Sequence, residues 1–169
     1  MRFHAQGAVL FVLLSLASIP SALAQENHHQ THGSRPLTRH EGLAILRVAR
    51  DFHGPANSPS DCSHLVHALY ERAGFPYDYA PSSDLYAGVD DFRRVANPQP
   101  GDLAVWRGHA GIVVNPAQHS FFSMLSSGPG VDSYDAPYWK QRGLPRFYRY
   151  IKAPSGARSS SVRSASLKP

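Results

Sequence analysis

Cys62 is the only cysteine in the 169 residues of the chain. It follows Asp61 and opens a segment in which Leu65, Val66, Leu69, Tyr70 and Ala73 fall on one face at about 100° per residue. Cys62 lies in the middle of that face. The spacing predicts a helix from Ser60 or Asp61 to Ala73, stopped by Gly74 and Pro76. A sulfur in the first turn of a helix faces unpaired N–H groups and about half a positive charge, and both favour a thiolate. Such a cysteine is either buried filler or a nucleophile with a lowered pKa. A nucleophile needs a base, and the base needs an orienting partner. His109 follows Gly108 at the start of a predicted strand, where its ring can reach a cleft beside the sheet. His119, Phe121 and Ser123 share one face of the next strand by period-two alternation, and either polar residue could accept the His109 N–H. Cys62-x-His64-x-x-His67 also looks metal-like, but His64 and His67 project from the opposite helix face, which cannot close a tetrahedral site. No metal is expected.

Several elements must hold these groups. Thr38 and Glu41 form a capping box for a helix from Thr38 to Asp51, with Leu43, Ile45, Leu46 and Ala49 at helical spacing. A short helix is predicted at Ser82–Ala87. After Asn97-Pro98-Gln99-Pro100-Gly101 the period changes to that of strands: Leu103–Trp106, His109–Val114, His119–Leu125, Val131–Tyr134 and Phe147–Ile151. Helices first and strands afterwards predict an α+β domain, N-terminal helices packed on a small antiparallel sheet. There is no Gly-rich phosphate loop, paired-carboxylate motif or G-x-S-x-G elbow.

The ends read differently from the middle. Residues 1–24 have the pattern of an export signal: Arg2, an apolar run from Ala8 to Ile19, and Ala22-Leu23-Ala24 as the cleavage site. The run is shorter than the ~20 apolar residues of a membrane span, so none is expected once the signal is removed, a retained anchor being the alternative. Residues 25–36 form a flexible, polar, His-rich segment, and 153–169 a disordered basic Ser/Arg tail. The folded part is 37–152. The chain carries 17 Lys+Arg against 12 Asp+Glu, yet the excess comes from Arg2, Arg35, Arg158, Arg163 and Lys168. A nucleic-acid partner would call for positive charge on a folded face, so none is expected. Weak attraction to anionic envelope polymers fits the charged ends.

Three blocks carry a resemblance: Asp61-Cys62-Ser63-His64-Leu65-Val66, Gly101-Asp102-Leu103-Ala104-Val105-Trp106, and Gly108-His109-Ala110-Gly111-Ile112-Val113-Val114. In this order, with Pro137-Tyr138-Trp139-Lys140 further on, they resemble the NlpC-type cell-wall cysteine peptidases. The resemblance implies a papain-like fold and an exported enzyme of the periplasm or cell envelope that needs no cofactor. The implied substrate is the stem peptide of peptidoglycan, cut between D-glutamate and a diamino acid. Carried over by position, Cys62 is the nucleophile, His109 the general base and Ser123 the third polar residue, with His119 the alternative. The chain departs from the pattern in three places. His64 stands where the family has Gly, the loop before the cysteine is shortened to Phe52-His53-Gly54 and Pro55-Ala56-Asn57, and Ser123 replaces a frequent His. These departures keep open a catalytically silent envelope-binding module, or a thiol amidase or acyltransferase. No protein partner is implied.

Overall fold

The computed structural model describes residues 33–52 and 61–154. The expected export segment, the lead-in up to residue 32, the loop 53–60 and the tail from 155 lie outside the described residues, and with them most of the shortened loop before Cys62.

The first helix, α1 (Arg39–Arg50), begins where the capping box predicts. Glu41 N–H donates to Thr38 Oγ1 at 3.3 Å, and Thr38 N–H donates to Glu41 Oε2 at 2.9 Å. Arg35 adds a two-pronged contact to the same carboxylate at 2.8 and 2.6 Å. Its guanidinium holds the Glu41 carboxyl well below the usual range. Helix α2 (Cys62–Arg72) is capped by the Asp61 side chain, which accepts from His64 N–H at 2.9 Å. Leu65, Val66, Leu69 and Tyr70 are fully buried along its predicted face. A short α3 (Ser82–Ala87) follows.

The described strands form one antiparallel sheet: β1 (Arg35–Pro36), β2 (Phe92–Val95), β3 (Leu103–Trp106), β4 (His109–Asn115), β5 (Ser120–Leu125), β6 (Gly128–Ser133) and β7 (Arg146–Lys152). Their order is β1-β7-β3-β4-β5-β6, and β2 also pairs with β7. The fold is α+β of the papain-like kind, with helices on an antiparallel sheet. Arg35 and Pro36 belong to the sheet through Lys152 and Ile151, rather than to the polar lead-in. The sequence reading also lacks β2 and a helical turn, α4 (Pro137–Gln141), between β6 and β7. His119 is not part of the third predicted strand: it caps the turn Pro116–Gln118 at φ 53°.

Each face of the sheet has its own cluster. Leu103, Val105, Ala110, Ile112 and Phe122 pack toward the helices with Leu65, Val66 and Leu69. Ala104, Trp106, Val113 and Phe121 pack on the other face beneath Trp139 of α4. The turn before β3 is locked to α1 at a contact only glycines permit. A Cβ on Gly42 would sit 2.0 Å from the Pro100 carbonyl oxygen. Beside it, the fully buried Asp102 takes Arg149 of β7 at 3.0 and 2.8 Å.

Candidate active site

Cys62 is the first residue of α2 and half-buried. Its place against β4 follows from the strand register. Trp106 pairs with His109 across the Arg107-Gly108 turn, so the Ala110 backbone groups point away from β3, toward β5. The β4–β5 ladder, however, runs only from Ile112–Phe122 toward Asn115–Ser120. At Ala110 the two strands are therefore unladdered, and side chains take up its backbone. The Ala110 N–H is directed at the Cys62 sulfur and favours its anion. Its carbonyl accepts the Ser123 hydroxyl at 2.6 Å. The sulfur thus lies against the backbone of the residue that follows His109.

The same serine sets the state of the imidazole. Ser123 is fully buried, and its Oγ is 2.9 Å from His109 Nε2. The hydroxyl has one hydrogen, committed to the Ala110 carbonyl, so toward His109 it accepts. Nε2 must then carry the ring hydrogen, and Nδ1 is left as the bare, basic nitrogen. Gly111 makes the approach possible: a Cβ there would meet Phe121 Cδ2 at 2.6 Å and Ser123 Cβ at 3.1 Å. Trp139 covers the other side of the His109 ring, with centroids 4.7 Å apart.

The ionisation of the pair differs from the reading by helix position. Burial pushes the Cys62 thiol up, and the Asp61 charge adds to this. The N–H groups of Ala110, Cys62 and Ser63 pull the other way but do not win. Burial, and then the Arg142 guanidinium, lower His109 to about 4. Both shifts favour the neutral forms, a thiol at Cys62 and an imidazole at His109, not the thiolate expected from helix-end dipoles alone. The desolvation that outweighs those dipoles comes from tertiary packing, which the local sequence does not display.

The other candidates sit apart. His119 donates from Nδ1 to Asp135 and stacks on Tyr134 at 5.0 Å, at the far end of β4 from His109. It has no contact with His109, and Ser123 alone of the two polar candidates touches the ring. His64 is exposed on the outer face of α2, as its spacing predicts. It folds back on Asp61 Oδ2 at 2.8 Å and stacks on Tyr79 at 4.3 Å. Burial pushes the Asp61 carboxyl up, but hydrogen bonds from His64 N–H, Ser63 Oγ and the His64 ring hold it at about 2. His67 bonds the Tyr77 carbonyl at 2.9 Å. Among the described residues no group of three or more His, Cys, Asp or Glu side chains converges on a metal position.

Sequence reasoning named Trp139 only within the Pro137-Tyr138-Trp139-Lys140 block, without a role, and missed Arg142 at the imidazole. Pro137 in the first turn of a helix was the available signal for α4, since proline is favoured there. Nothing local marks Arg142, which reaches the site through Tyr138 and the Arg107 carbonyl at 2.9 and 3.0 Å.

A family model described as NlpC/P60 family matches residues 50–146, a stretch holding Cys62, His109 and Ser123. The chain belongs to the NlpC/P60 family. A search among curated proteins returns no match. NlpC/P60 proteins are cell-wall peptidases or amidases, generally cysteine-dependent, that act on peptidoglycan and are typically associated with the cell envelope. No helix among the described residues is long and apolar enough to cross a membrane.

Proposed function

We propose that this NlpC/P60 chain is an exported cysteine peptidase that hydrolyses amide bonds in peptidoglycan stem peptides, of the γ-D-glutamyl–diamino acid type. Cys62 is the nucleophile, His109 the general base and acid, and Ser123 the positioning residue. One observation carries the reading. The Cys62 sulfur faces the N–H of Ala110, the residue that follows His109, and Ser123 holds the His109 imidazole by Nε2 with Nδ1 bare.

The chemistry follows from the neutral pair. As the sulfur attacks the carbonyl carbon, its proton passes to His109 Nδ1, so charge appears only as the bond forms. Amides at the start of α2 and the Ala110 N–H offer donors to the negative charge that develops. The imidazolium gives its proton to the departing amine, leaving a thioester on Cys62. His109 then takes a proton from water, which releases the acid and restores the thiol. Acid–base help of this kind contributes about 10²–10⁴-fold in rate.

The silent envelope-binding module remains the second reading, favoured by the raised thiol and by a hydroxyl in place of a stronger third residue. Digestion of purified sacculi separates the two. The wild type should release stem-peptide fragments whose masses place the cut after D-glutamate, and Cys62→Ala and His109→Ala should release none. Equal fragments from wild type and Cys62→Ala would refute the peptidase. A muramoyl–alanine cut, or transfer to an added amine, would appear as different masses and redirect the assignment to an amidase or acyltransferase.

A further inference from the structure

On the sheet face that carries His109, the cross-strand rows form a trough. Ser123 pairs with Gly130 and lies against Gly111, and Val113, Phe121 and Asp132 form the next row. Phe121 and Leu125 close over the two glycines, and Trp139 bridges the trough. Its ring is 4.7 Å from His109, centroid to centroid, and its Nε1 donates to Asp132 Oδ2 at 2.7 Å. The lining of the resulting cleft, about 440 Å³, includes His109, Leu125, Asp132, Tyr138 and Trp139.

Asp132 is half-buried, and its described partners are all neutral: the Trp139 indole and the Ser133 N–H at 2.7 Å. Each carboxylate oxygen accepts one hydrogen bond and keeps a lone pair for another. No cation pairs with it among the described residues. A partly desolvated carboxylate with only neutral donors favours an ammonium or guanidinium ligand.

The position of the cleft decides which part of a substrate reaches it. His109 lines it and Cys62 does not. The imidazole protonates the departing amine, so the residue that contributes that amine lies on the His109 side. We infer that this cleft is the leaving-group subsite, and that Asp132 binds the side-chain ammonium of a diamino acid there. The inference rests on the peptidase reading above. One indole separates imidazole from carboxylate, a span matched by a lysine-length side chain whose methylenes run along Trp139 and Leu125. The site selects a terminal amine and disfavours an isosteric alkyl chain, which would leave the carboxylate without its ion partner.

The test uses two synthetic peptides, L-Ala-γ-D-Glu-L-Lys and L-Ala-γ-D-Glu-L-norleucine, which differ by the ammonium. Their affinities are measured by calorimetry on full-length Cys62→Ala, with and without Asp132→Asn, and their turnover on the Cys62-containing proteins. The lysine peptide should bind Cys62→Ala at least about tenfold more tightly. Asp132→Asn should abolish that preference while leaving norleucine affinity unchanged, which also shows that the variant is folded. Equal affinity of Cys62→Ala for both peptides, or equal weakening of both by Asp132→Asn, would overturn the subsite. Binding preference without turnover in the wild type would uphold the subsite and refute the peptidase, so the two failures are distinguishable.

Discussion

The ring of His109 is held on three sides: Ser123 fixes Nε2, Trp139 covers a face, and Arg142 supplies a nearby positive charge. Burial and that charge set its pKa at about 4. The sign of the pH dependence follows. The base works when unprotonated, so kcat/KM on a stem peptide should stay level below neutrality and fall through about pH 4. Arg142→Gln removes the repelling cation, so its acid limb should move to higher pH. An unmoved limb would show that Arg142 does not act on the imidazole. Stability has its own dependence. The unfolded imidazole, near 6.5, takes up a proton that the folded one refuses until about pH 4. The His109 contribution is therefore lost as pH falls through that window. Ser123 was legible as one of two candidates because alternation along a strand is a local property. Alternation did not separate it from His119, and only the resemblance ranked Ser123 first; that His119 leaves the strand in a left-handed turn is not a local pattern.

Among the elements, the decisive juncture is the open end of β4 and β5. A regular ladder there would consume the Ala110 N–H and carbonyl, and neither Cys62 nor Ser123 could use them. Gly111 lets the strands and Phe121 close up just beyond the opening. Gly111→Ala would place a Cβ 2.9 Å from the Phe122 carbonyl oxygen as well as against the Phe121 ring. Such overpacking costs about 1–3 kcal/mol. The urea midpoint should drop accordingly, and turnover should drop with it as Ser123 is pushed from His109. An unchanged midpoint with full turnover would mean that this close approach is dispensable. The helices were readable because capping residues and apolar spacing coincide: Thr38 with Glu41, and Asp61 before the buried Leu65–Tyr70 face. β2 was not readable, since Phe92-Arg93-Arg94-Val95 is too short and charged to stand out, and its pairing with β7 spans more than fifty residues of sequence.

At the scale of the whole molecule, long-range contacts place the site. Tyr70 of α2 bonds the Gly101 carbonyl at 2.5 Å, and Asp102 ties the same turn to Arg149 of β7. These contacts join the helix carrying Cys62 to the sheet carrying His109, and their partners lie dozens of residues apart in the chain. That distance is why the sequence disclosed the two candidate side chains but not the burial of each. In the proposed reaction one sulfur, that of Cys62, performs covalent catalysis from the neutral thiol. Mass spectrometry of the intact protein, quenched during turnover of L-Ala-γ-D-Glu-diamino acid peptide, reads the acyl-enzyme itself. A transient L-Ala-γ-D-Glu adduct should map to the Cys62 peptide and be absent from Cys62→Ala. Peptide cleavage by Cys62→Ala, which forms no such adduct, would rule the mechanism out.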